Sequence, residues 1–238
     1  MTTTMVDTVI NRRWPLKLPA HRAREARWDW WERERLAYAR AMVRPGDVVW
    51  DIGAEEGDMS ALWASWGARV VLLEPSPKAW PFIRRTFEAN ELDPPDACFA
   101  GFASDVTDLH PAHLDVDGTL VDGWPRCAYD DGAPEFGFRH LYESRPATPQ
   151  VRLDDLDAPM PDIVTMDVEG GEYTVLLGAE RILAEARPSW LVSVHPEFLR
   201  ESYGHTVDNV LTCFADHDYE THLLAVDHEY HYVAKPRR

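Results

Sequence analysis

The sequence predicts an α/β fold, a mostly parallel sheet with helices on both faces, and three observations predict it. Short and almost wholly apolar runs recur at 48–52, 69–73, 162–167 and 190–195, as in strands buried on both sides. Stretches of helical periodicity lie between them. Glycine and proline stand at the joints, so strand and helix alternate as in βαβ units with right-handed crossovers and ligands at the strands' carboxyl ends.

The elements follow in order. Ala26, Trp30, Leu36, Ala37 and Ala41, among charged residues, predict a helix over 22–43 ended by Pro45-Gly46. This defines an N-terminal helical arm, residues 1–43, ahead of one larger domain at 44–238. Val48 to Ile52 is the first strand, closed by Gly53. Met59, Leu62, Trp63 and Trp66 mark the next helix, which Gly67 stops before the strand Arg69–Leu73. Pro77 opens a further helix with Trp80, Ile83 and Phe87 on its apolar face, and a third strand is expected near 97–101. From Ser104 to Gln150 the chain is rich in Asp, Gly and Pro and lacks periodicity, an irregular insertion. Alternation resumes with a strand at 162–167, a helix at 172–186, a strand at 190–195, a helix at 207–214 and two closing strands at 219–226 and 228–234.

Composition excludes several function classes. With 41 acidic against 24 basic residues the net charge is -17, which repels phosphate backbones, and no dense Lys/Arg stripe offsets it. Nucleic acid is not the expected partner. The arginines between Arg12 and Arg40 alternate with Glu25, Asp29, Glu32 and Glu34, as on a solvated helix face. Cys98, Cys127 and Cys213 fit neither a disulfide framework nor a zinc knuckle, and no uncharged apolar run reaches membrane-spanning length. A cytoplasmic protein without membrane association is the expectation.

The chemistry is concentrated in Asp51-Ile52-Gly53-Ala54-Glu55-Glu56-Gly57, where glycines between strand and helix let backbone amides approach a ligand. Glu74, about 20 residues on, ends the second strand, where a carboxylate can take ribose hydroxyls. Nicotinamide and methyl-donor enzymes share these features. The acidic turn disfavours a pyrophosphate and suits a cationic sulfonium, while the bland alternative leaves Asp51 and Glu74 as turn caps.

The segment Val151-Arg152-Leu153-Asp154-Asp155-Leu156, followed by the run from Asp162 through Met166-Asp167-Val168-Glu169-Gly170-Gly171-Glu172 to Gly178-Ala179, resembles the signature of the FkbM methyltransferase family. With Glu74-Pro75 and Val194-His195-Pro196, the resemblance spans about residues 44–200, most of a domain of ordinary size. It implies a class I methyltransferase fold, Rossmann-like with a mostly parallel seven-stranded sheet. It also implies S-adenosylmethionine as donor and a hydroxyl of a small molecule, sugar or natural product as acceptor. Glu55 departs from the Asn usual in the family's turn.

Cofactor contacts are therefore expected at Asp51, Gly53, Ala54, Glu55, Gly57, Glu74, Pro75, Ser104 and Asp167. Asp167 and His195, each ending a strand beside that site, are the expected catalytic residues, with His195 as general base. A second reading makes Asp167, Glu169 and His195 ligands of Mg or Mn. His195 as a satisfied buried histidine and Glu172 as a helix N-terminal acid are the plainer alternatives. Trp28, Trp30, Trp31 and Tyr38 are read as helix packing or a homodimer contact, with a lid as the alternative. Against the enzyme stand a cofactor- or partner-binding protein without turnover and a nicotinamide-dependent oxidoreductase.

Overall fold

The computed structural model describes residues 4–23, 26–76, 78–107, 120–121, 123–125 and 149–237. Seven strands form one sheet in the order β12-β13-β11-β10-β3-β4-β5. Its parallel centre consists of β3 (Val48–Ile52), β4 (Arg69–Leu73), β5 (Ala97–Phe99), β10 (Ile163–Asp167) and β11 (Ser189–Val194). β13 (Tyr230–Pro236) runs antiparallel between β11 and β12 (Tyr219–Val226).

Side-chain alternation explains the apolar runs. Val49, Leu72, Ile163, Leu191 and Val233 enter one core, under α3 (Asp58–Ser65) and α4 (Trp80–Ala89). Trp50, Val71, Val164, Met166, Trp190 and Val192 enter the opposite core, under α5 (Glu172–Leu177) and α7 (Val207–Asp216). Both faces are covered, so residues of both parities are mostly apolar, and the polar exceptions Asp51, Thr165 and Ser193 are buried. Trp50 and Trp190 are essentially fully buried. Among the described residues no helix is long and apolar enough to cross a membrane.

The structure departs from the expected elements in three places. Residues 5–19 form a hairpin, β1 (Met5–Ile10) against β2 (Trp14–Pro19), with Ile10 opposite Trp14, so the arm is not purely helical. Leu16 and Leu18 alternate with exposed Lys17 and share a core with Leu36, Leu62 and Val49. The helix expected over 22–43 divides into α1 (Ala20–Ala23), a 3-10 turn at Ala26–Asp29 and α2 (Arg33–Met42). A left-handed Glu32, φ 41°, precedes α2. The helix expected over 172–186 ends with α5, and a π-helical turn follows at Ile182–Ala186. The break lies at Gly178, where a Cβ would stand 1.9 Å from the Ser104 carbonyl oxygen. Asp154 then caps the second turn by accepting from the amides of Arg181 and Ile182.

The two ends of the insertion are paired, β6 (Phe102–Ala103) with β9 (Gln150–Val151), and β7 (Leu120–Val121) pairs with β8 (Trp124–Pro125). Most of the insertion beyond Thr107, together with Pro77 and Cys127, lies outside the described residues. One further element, α6 (Pro196–Tyr203), begins directly after His195.

Candidate active site

At the carboxyl edge of β3, Gly53 adopts φ +85°, and a Cβ there would meet the Asp167 carbonyl oxygen at 1.9 Å. Only glycine fits. The close approach brings the end of β10 against the turn after β3, and the amides of Gly53 and Ala54 donate to the Leu73 carbonyl across β4. Glu55, left-handed at φ 50°, aims its own amide at Glu74 Oε2, 2.9 Å away, and the Ser76 amide donates to Oε1 at 2.7 Å. Burial pushes the Glu74 carboxyl up to about 8 against the opposing pull of those two amides.

Asp51 is also buried and accepts from the Ser60 and Thr165 hydroxyls, the latter at 2.6 Å, which ties β3 to α3 and β10. Gly57, φ +78°, precedes α3, where a Cβ would crowd Ile83 at 3.0 Å. Its role is packing between helices.

The next group comes from three separate parts of the chain, residues 167–172, 195 and 228–229. His195, at the end of β11, places Nδ1 2.8 Å from Glu172 Oε1, and the same oxygen accepts from the Gly170 amide. Nε2 faces Glu229 Oε2 at 2.6 Å, Glu169 Oε2 at 3.4 Å and Asp167 Oδ1 at 3.6 Å. His228 Nε2 lies 2.7 Å from the other Glu229 oxygen. Burial alone would lower the His195 pKa, but hydrogen bonds to Glu172 and Glu229 and the charge of Asp167 hold it up at about 11. Burial and the Glu229 charge raise Asp167 well above the ordinary carboxylate range, despite His195 and Arg35. Glu229 moves the opposite way, well below that range, because the two histidines outweigh its burial.

Arm residues close this edge. Arg22, 2% exposed, donates to both Glu55 oxygens at 3.0 and 2.6 Å and through Nε to Asp58 at 3.1 Å. Glu32 pairs with Arg35, and the Trp31 and His228 rings lie 5.0 Å apart.

Together these groups line one cavity of about 520 Å³, a volume within the range of small-molecule sites. The expected Asp51, Gly53, Ala54, Glu55, Glu74, Pro75, Asp167, Glu169 and His195 all line it, and Gly57 and Ser104 do not. The Ser104 hydroxyl bonds Gln150 and Asp105 while its carbonyl packs on Gly178, leaving Gly101 to Ala103 as the wall. Sequence reading does not single out Arg22, Glu32, Arg35, His228 or Glu229, and of the four arm aromatics it names, Trp31 lines the cavity. The arginines had been assigned to a solvated face, and Glu229 reaches the cluster only because β13 returns beside β11.

One oxygen each of Asp167 and Glu169 and one His195 nitrogen lie within 4.8 Å of one another, as do oxygens of Glu32, Asp167 and Glu229.

A sheet in this order, with a glycine turn after its first central strand and a buried acid closing the next, defines the class I, S-adenosylmethionine-dependent methyltransferases. Solved structures share the fold. Precorrin-6y C5,15-methyltransferase from Geobacter metallireducens superposes with a TM-score of 0.51 at 17% identity, over 86% of this chain and 88% of that one. Methyltransferase FkbM from Methylobacillus flagellatus gives 0.51 at 18% identity, over 80% of this chain and 43% of that longer one. Ribosomal protein L11 methylase from Lactobacillus delbrueckii gives 0.50 at 12%, over 86% and 77%. Among curated proteins none matches the chain in sequence. The profile described as the methyltransferase FkbM domain matches residues 51–221. The chain belongs to the FkbM family of methyltransferases.

Proposed function

We propose that the protein transfers a methyl group from S-adenosylmethionine to a hydroxyl of a small molecule or sugar. The observation that carries this reading is the contact of Gly53 with the Asp167 backbone, because it makes the glycine turn and the Asp167-His195 cluster walls of one cavity. The residues fit the donor. Each Glu74 oxygen holds one amide and keeps further hydrogen-bonding capacity for a ribose diol, and carboxyl groups outnumber basic groups in the lining, which suits a cation.

S-adenosylmethionine supplies an activated methyl carbon, so the chain needs only to align the acceptor oxygen and take its proton. Asp167 is the proton acceptor of the expected pair, since His195, held up at about 11, already carries its proton near neutral pH. His195, anchored through Nδ1 on Glu172, holds positive charge beside Asp167 and pulls that carboxyl towards its ionised, proton-accepting form.

The Asp167, Glu169 and His195 grouping favours a second reading, in which these residues ligate Mg or Mn. The Glu172 bond to Nδ1 is the support that metal-bound histidines ordinarily have. A cation would acidify the hydroxyl, and His195 would then be ligand rather than proton holder.

Titration of the full chain with S-adenosylhomocysteine and with a nicotinamide dinucleotide, followed by donor turnover on a panel of hydroxyl-bearing acceptors, tests the function. Binding of the dinucleotide alone would sink it. Tight S-adenosylhomocysteine binding with no turnover on any acceptor favours a binding protein. Turnover that persists after dialysis against chelator removes the metal reading.

A further inference from the structure

The arm precedes the region that the family profile matches, yet one of its side chains is built into the glycine turn. Arg22 lies on α1 and is almost wholly buried. Its guanidinium takes Glu55 bidentately and Asp58 through Nε and Nη2, and His21 Nε2 holds Glu56 at 2.6 Å. Trp28 fixes the arginine in turn, donating from its indole to the Arg22 carbonyl at 2.7 Å with its ring 5.8 Å from the guanidinium carbon.

Three carboxylates within four residues, Glu55, Glu56 and Asp58, repel one another in this buried turn. A bidentate arginine both neutralises and orients its partner, which a point charge does not. The Glu55 side chain is thereby pinned while its backbone stays in the left-handed region that non-glycine residues disfavour. That conformation directs the Glu55 amide to Glu74 Oε2.

We propose that Arg22 is a positioning residue for the methyl donor: by gripping Glu55 from the arm it keeps the Glu55 amide on Glu74, and so sets the carboxylate that receives the nucleoside. The proposal rests on the methyl-donor reading above. Arg22 acts through Glu55 and Glu74, and cofactor affinity therefore depends on a segment that lies before residue 51.

The test uses the full chain with Arg22→Met, Arg22→Lys, Glu55→Gln and the Arg22→Met/Glu55→Gln double variant. The readouts are S-adenosylhomocysteine affinity by calorimetry below each unfolding transition and Tm by circular dichroism. Arg22→Met weakens binding by about tenfold or more, the size expected when one charge-assisted contact is lost. Arg22→Lys recovers part of the loss. In the Glu55→Gln background, Arg22→Met costs much less than in the wild type, at least about fivefold less, because the two act as a unit. Unchanged affinity in folded Arg22→Met, with only Tm lowered, overturns the proposal and leaves Arg22 a structural residue. Equal costs in both backgrounds overturn it as well. If Arg22→Met does not fold, Glu55→Gln alone decides, since it keeps Arg22 on Asp58: weaker binding supports the proposal and unchanged binding overturns it. A wild-type chain that fails to bind S-adenosylhomocysteine refutes the methyl-donor reading itself.

Discussion

Glu172 Oε1 holds His195 Nδ1 at 2.8 Å and at the same time accepts the Gly170 amide, so one fully buried carboxylate orients both the strand-end histidine and the turn that leads into α5. A glutamate at a helix start ordinarily favours the macrodipole. Here it also serves as counter-charge to an imidazolium.

The Glu172→Gln variant separates those roles through pH. The His195 pKa is raised from 6.5 to about 11, so its stabilising contribution is complete below about pH 6.5 and is lost as pH rises through about 11. Urea unfolding between pH 6 and 10 should show the wild type weakening with pH and Glu172→Gln following a flatter course. At pH 6 the variant should be less stable by about 2 kcal/mol, the value of a hydrogen bond to a charged group. Parallel curves would contradict this.

Asp167→Asn keeps the shape of the side chain and removes the proton acceptor. Turnover should fall by about 10²- to 10⁴-fold, a larger loss than any accompanying change in S-adenosylhomocysteine affinity. Steady-state kinetics with an acceptor identified from the panel checks this, and a mutant within a few-fold of wild type in kcat would place the base elsewhere.

Gly53→Ala and Gly46→Ala form a matched pair, since both glycines have positive φ, at 85° and 91°. Around Gly46 a new Cβ meets nothing within 4 Å, so only the left-handed strain of about 1–2 kcal/mol applies. At Gly53 the Asp167 carbonyl must also move, adding about 1–3 kcal/mol of overpacking and displacing the wall of the cavity. Thermal unfolding and S-adenosylhomocysteine titration should find Gly46→Ala mildly destabilised with intact binding, and Gly53→Ala impaired in both.

Leu18→Ala tests whether the hairpin belongs to the core. Leu18 is fully buried, and truncation should cost about 2–5 kcal/mol, as for an interior leucine. A loss below about 0.5 kcal/mol in urea unfolding would mean the hairpin is detachable.

The parallel centre of the sheet was legible because strands buried on both faces have no polar parity, as at Val48 to Ile52 and Ile163 to Met166. Gly53, Glu74, Asp167 and His195 were legible for a related reason, since strand ends in such a sheet converge on one edge. The arm was not. Periodicity records where charges recur and does not distinguish a solvated charge from a paired one, so Arg22, Glu32 and Arg35, each 2–3% exposed, were read as surface. The hairpin escaped because Val6, Thr8 and Val9 present little apolar contrast before the alternation of Leu16 and Leu18. Glu229 carried no local signal, since its place depends on strand pairing between residues far apart in sequence.

The cluster at this edge also decides where the charge of the reaction ends up. On the methyl-donor reading the sulfonium charge vanishes with transfer while the acceptor gives up a proton to Asp167, so the walls take on the positive charge that the cofactor loses. Return of that proton to solvent is then a step of every turnover, separate from departure of the spent cofactor.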